Sequence, residues 1–176
     1  MNTTHLHMLL NHFPVIGTLI GSGLLLWGII RKQDNVKSIA AVVLALMAII
    51  AIPVYLTGEP AEESVEKLAG VSDSMIGLHE DAASIAIWLM GITGIASLAA
   101  LFFAWQKKKT ANAVFMISFV LSALCFGAMA RTGYYGGQIR HTELGTASVN
   151  NQQNENEKGN KQDKEGEEKK GDKDDD

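Results

Sequence analysis

Five residues in this chain stand out as able to do chemistry: His5, His7, His12, His79 and His141. Neutral imidazole is a ligand for iron, copper and zinc. Two axial imidazoles with arginines close by suit haem b, the guanidinium groups facing its propionates. His12, His79 and His141 are the candidate ligands, and Arg131 and Arg140 the candidate propionate partners. The alternative is a His/carboxylate site for a transition metal ion, built from His12, His79, His141, Glu59 and Glu80. Glu62 and Glu143 can complete that site or orient the imidazoles from behind. His5 and His7 lie near the N-terminus and read as exposed. Between the two arginines runs Thr132-Gly133-Tyr134-Tyr135-Gly136-Gly137, a glycine-rich stretch that lets backbone approach a bulky ligand.

Four apolar runs must position these groups: 13–30, 39–56, 82–105 and 111–130. None contains a charged residue. As helices the 18- and 20-residue runs are about 27–30 Å long, the thickness of a hydrocarbon core. Backbone in hydrocarbon must bond to itself, so helix is the expected form, and no strand pattern is visible. The fold class is therefore all-α, an integral membrane four-helix bundle. The first run is not a cleavable leader, because nothing before Arg31 is basic and no small-residue cleavage site follows it. Gly17, Gly21 and Ser22 in the first run, Gly91 and Gly94 in the third, and Ser118, Ser122 and Ala128 in the fourth predict close helix approach. Met47, Met90, Met116, Met129 and Cys125 read as packing residues.

Charge sets the direction. Arg31, Lys32 and Lys37 follow the first run, and Lys107, Lys108 and Lys109 follow the third. The segment between the second and third runs carries Glu59, Glu62, Glu63, Glu66, Asp73, Glu80 and Asp81 against Lys67 alone. The positive-inside rule then puts both basic loops in the cytoplasm and both termini outside. Every histidine falls on the outer side and none on the inner, the strongest functional signal in the chain. Trp27 and Trp105 belong to the inner interface, and Tyr55, Tyr134 and Tyr135 to the outer one. Pro14 either opens the first helix or kinks one that begins near Thr4, and Pro53 bends the second near its outer end. After Gly58, a short helix runs from Pro60 to Leu68; Asp73 or Ser74 then caps a helix that carries His79 about two turns in.

Residues 1–145 hold nine basic and nine acidic side chains. Residues 146–176 hold six lysines against ten acids and almost nothing apolar, so this tail is expected to be disordered. That balance excludes a basic nucleic-acid binder, and a single cysteine excludes a disulfide scaffold. Without a charged residue in mid-span, a channel is a poor reading; no nucleophile elbow or zincin helix suggests a hydrolase. The expected role is a redox carrier or subunit rather than a stand-alone enzyme. An interaction module that docks a partner through its acidic segment and tail is the alternative without a cofactor.

His12-Phe13-Pro14, Gly58-Glu59, His79-Glu80 and Gly136-Gly137 with His141 resemble a family of four-span bacterial membrane proteins grouped as a domain of unknown function. The likeness covers about residues 5–145. It implies a multi-pass protein of the bacterial inner membrane. Some members of that family are fused to c-type cytochrome domains, which implies respiratory electron transfer with a periplasmic cytochrome c or quinone. This chain has no Cys-x-x-Cys-His, so it cannot itself attach haem c.

Overall fold

The computed structural model describes residues 3–66 and 71–140. Six helical segments follow in order: α1 (Thr3–Leu10), α2 (His12–Ile30), α3 (Asp34–Leu56), α4 (Gly58–Glu66), α5 (Asp73–Trp105) and α6 (Ala111–Arg140). Among the described residues there is no strand. Four helices are long and apolar enough to cross a membrane: Thr4–Ile30, Asp34–Glu66, Asp73–Trp105 and Ala111–Ile139. Their charge-free runs are the spanning segments, so α1 and α4 lie beyond them. The tail from 146 onward lies outside the described residues.

Adjacent spans pack side by side in the order α2, α3, α5, α6, and α6 closes the ring against α2. Much of the inside of this ring is small or hydroxyl-bearing, with Leu25, Leu44, Met90 and Phe115 filling the remaining space. Thr18, Ser22, Ala40, Ala41, Thr93, Ser97, Ser118 and Ser122 are all buried. Ser22 Oγ donates to Ser122 Oγ at 2.8 Å, and Thr18 Oγ1 donates to Met90 Sδ at 3.5 Å. Ile49, Trp88, Ile95 and Trp105 point outward, 62–80% exposed, as lipid-facing residues do. Small residues win the inside because lipid solvates aliphatic side chains as well as the core does, which leaves close contact as the driving force.

The helix ends differ from the sequence expectation in three places, and the first helix agrees with one of its two alternatives. The first helix takes the second of its two expected forms: it starts near Thr4 and is interrupted only at Asn11, which keeps helical φ of −62° and ψ of −26°, before continuing from His12. Pro14 lacks the N–H that would satisfy the carbonyl of Leu10, which locates the break. α4 begins at Gly58 itself, not at Pro60, and is described to Glu66; Leu68 lies outside the described residues. α3 begins at Asp34, so Lys37 is not a loop cation but a buried helix residue. Its Nζ meets Asp34 Oδ1 at 2.7 Å, bonds to Asn112 Oδ1 and lies 5.4 Å from the Phe115 ring centre. The fourth helix runs ten residues past the apolar segment, straight through the glycine-rich stretch to Arg140. Both basic turns are built alike: Lys32 and Lys107 take left-handed φ of 55° and 53° and close the helices before them.

Candidate functional site

At the end of the bundle opposite the basic turns, α1 and α4 pack on each other and on α3, and α1 also packs on α2. They form no packed layer with α5 or α6, which rise alongside as a second wall. Between the walls lies a cavity of about 650 Å³. Its size is within the range of cofactor and small-molecule sites. Toward the membrane it is lined by Val15, Ile16, Ala86, Ile87 and Met129. Away from the membrane it is lined by polar groups, among them His7, His12, Glu59, Glu62, His79 and Glu80.

His7 comes from one wall. It is half-buried, and its Nδ1 lies 3.0 Å from the Val54 carbonyl at the end of α3 and 3.3 Å from Thr57 Oγ1. His79 comes from the other wall. It is also half-buried, with Nδ1 2.9 Å from the carbonyl of Thr132 on α6. A carbonyl only accepts, so each Nδ1 carries the proton and donates it. In the neutral ring Nε2 is then the nitrogen that can ligate a metal. Burial lowers the pKa of His7 below its ordinary 6.5; the bond to Val54 opposes this, and the nearby His79 adds to it. The result is a neutral imidazole at physiological pH.

Gly136 explains how His79 reaches its carbonyl. A Cβ at that position would stand 3.1 Å from both Cε1 and Nδ1 of the ring. The glycine-rich stretch therefore admits an imidazole of the protein itself, and it does so as helix rather than as a loop. Glycine costs a helix up to about 1 kcal/mol per residue, so its use here is a concession to that contact. On the other wall a Cβ at Gly58 would stand an ordinary 3.7 Å from His7 Cε1.

Of the expected site residues, His12, His79, Glu59 and Glu80 do line this cavity. His12 is exposed, and its Nδ1 lies 2.9 Å from the Met8 carbonyl of its own helix. His5 is exposed, as expected. Arg131 does not line the cavity; it is exposed, its Nε and Nη2 donate to Tyr135 Oη at 3.3 Å, and it stacks on that ring at 5.5 Å. Arg140 closes α6, while its side chain, His141 and Glu143 lie outside the described residues. Among the described residues no three His, Cys, Asp or Glu side chains come together closely enough to hold a metal ion. Cys125 is buried, 3.6 Å from Met90 Sδ, within the packed core. Met116 faces outward rather than into the core.

Glu62 was only a secondary candidate, yet its surroundings perturb it. Partial burial raises its pKa, and Glu80, Glu66 and Glu59 raise it further. Among the described lining residues there is no Lys or Arg. The residue that sequence reasoning undervalued is His7. The signal was present: Thr4, His7, Met8 and Asn11 recur at the spacing of one helical face, and all four line the cavity. Searches against protein-family models, curated proteins and solved structures find no match to this chain.

Proposed function

We propose that this is a haem b-binding membrane protein that serves respiratory electron transfer at the outer face of the bacterial inner membrane. One observation carries the reading. Two imidazoles, His7 and His79, enter one cavity from opposite walls, each with Nδ1 fixed to a backbone carbonyl, which leaves Nε2 as the nitrogen available to a ligand. The donor set also favours haem over a lone ion. A structural zinc takes four protein ligands and a catalytic one three, whereas a porphyrin asks the protein only for axial ligands. The lining suits an amphipathic macrocycle, apolar toward the bilayer and polar away from it. Bound there, haem would supply a one-electron iron couple. The protein's own part is to fix two ring orientations, to cover one side of the site with the α1–α4 wall, and to disfavour protonation of His7 through its burial. With both ligands at one edge, the site serves a single cofactor and exchanges electrons with an outer partner, a periplasmic cytochrome c or a quinone.

The test is the visible spectrum of detergent-purified protein expressed with ample haem, oxidised and then dithionite-reduced, with metal analysis of the same sample. A Soret band and a sharp α band on reduction are expected. His7→Ala and His79→Ala should each abolish the α band, and His12→Ala should retain it. A colourless protein holding stoichiometric metal that is lost in His79→Ala would replace haem with a His/Glu ion site. A colourless, metal-free protein would leave a docking subunit.

A further inference from the structure

At the end of the bundle opposite the cavity, the two basic turns carry Arg31, Lys32, Lys107, Lys108 and Lys109, all exposed. Asp34 is the one acidic residue beside them in the sequence, and it is engaged by the buried Lys37 at 2.7 Å. Among the described residues none of the five exposed cations forms an ion pair. The helix ends do not need them either. The carbonyl of Gly28 accepts from the Gln33 N–H at 2.9 Å, and that of Phe103 from the Lys108 N–H at 3.0 Å, so backbone closes both α2 and α5.

Two of the five are held on aromatic rings. The Arg31 guanidinium carbon lies 5.3 Å from the Trp27 ring centre, and Lys108 Nζ lies 5.2 Å from that of Phe103. A stacked guanidinium keeps its N–H edge free for the oxygens of a phosphate. Beside each cation lies exposed apolar surface. On α2 it is Trp27 and Ile30. On α5 it is Phe102, whose ring neighbours both Phe103 and the exposed Trp105. A soluble anion would meet the cations and leave this apolar surface bare. An amphiphile with an anionic head meets both.

We infer that this end of the bundle holds two seats for anionic phospholipid, Arg31 on Trp27 and Lys108 on Phe103. Each cation takes a headgroup phosphate, and the acyl chains run along the exposed faces of α2 and α5. The two helices stand diagonally across the ring, so each hairpin carries one seat. Lys37 braces the turns against each other, since it stands in the first turn of α3 and bonds to Asn112 in the first turn of α6. The inference is independent of the haem reading, because it uses none of the cavity residues.

The experiment reads tryptophan fluorescence in full-length protein carrying Trp88→Phe, which leaves Trp27 and Trp105 as reporters at this end. The protein is reconstituted in phosphatidylcholine vesicles that contain brominated phosphatidylglycerol or, at the same fraction, brominated phosphatidylcholine. The ratio of quenching gives the preference between the two headgroups. Phosphatidylglycerol should be preferred about fivefold, the effect of one cation at an anionic headgroup. Arg31→Gln/Lys108→Gln should bring the preference close to parity. Lys32→Gln/Lys109→Gln, the same loss of charge at cations not stacked on a ring, should retain most of it. Equal losses in the two variants overturn the inference, because a diffuse basic field then accounts for the preference. Parity already in the Trp88→Phe protein overturns it as well, without reference to any other variant. So does loss of the preference in excess glycerol 3-phosphate at constant ionic strength, which would assign the cations to a soluble anion. A protein that shows the preference but no Soret band leaves this inference standing and sinks only the haem reading.

Discussion

His7 shows how one side chain can be held ready for ligation. Burial disfavours its cation, and the Val54 carbonyl fixes which nitrogen carries the proton. This has a consequence for the cofactor-free protein. His7 titrates below 6.5 when folded and near 6.5 when unfolded. As pH falls through 6.5, the unfolded chain takes up its proton first. Stability present above 6.5 is then lost as the pH approaches the lower folded value. The thermal midpoint of cofactor-free protein should drop on acidification through this window, and His7→Gln should flatten that part of the slope. An identical slope in His7→Gln would mean that His7 is not desolvated. Glu62 acts in the opposite direction. Its raised pKa makes the folded state less favourable as pH rises above 4.5, so Glu62→Gln should hold or raise the midpoint at pH 7.

At the scale of helices, close approach depends on where side chains are missing. Gly94 on α5 faces Ala48 on α3 so tightly that an added Cβ would lie 2.5 Å from the alanine's. Neither group is a flexible tip that can move aside. Gly94→Ala should therefore separate α3 from α5 and cost about 1–3 kcal/mol, as overpacking does. Gly91, one turn away on the same helix, has nothing within 4 Å of such a Cβ. Gly91→Ala should be neutral or stabilising by up to about 1 kcal/mol, through helix propensity. Reversible unfolding in detergent compares the pair directly. Equal effects at both positions would show that the α3–α5 contact is looser than described. The same contact has a functional side, because α3 carries the Val54 carbonyl and α5 carries His79.

For the whole molecule the open question is direction. Both basic turns lie at one end and the cavity at the other. The proposed orientation puts the turns in the cytoplasm and the cavity outside. Cys125 is the only cysteine and is buried, so a Cys125→Ser background gives a clean start for labelling. In intact cells a membrane-impermeant maleimide should label Ser64→Cys on α4. Gln33→Cys and Lys108→Cys, in the basic turns, should label only after the membrane is permeabilised. The reverse pattern would turn the protein over and place the cavity inside.

Each span was legible in the sequence because hydrocarbon acts on every segment separately. A charge-free run of 18 residues is a membrane helix whatever its neighbours do. The gathering of His7, His12 and His79 at one end was legible for the same reason, since it follows from counting crossings. Which imidazoles enter the cavity was not legible. His12 and His7 are five residues apart on nearly continuous helix, and only the docking of α1 against α3 and α4 turns His7 to the Val54 carbonyl. Likewise, nothing local marks Gly136 as the partner of His79, 57 residues away, until the register of α5 on α6 sets them side by side. The sequence makes Arg131 a candidate propionate partner, but the turn of α6 leaves it exposed beside Tyr135. Segment length and charge determine what crosses the membrane; the rotation of each helix about its own axis, which only packing against the others fixes, determines which side chains meet.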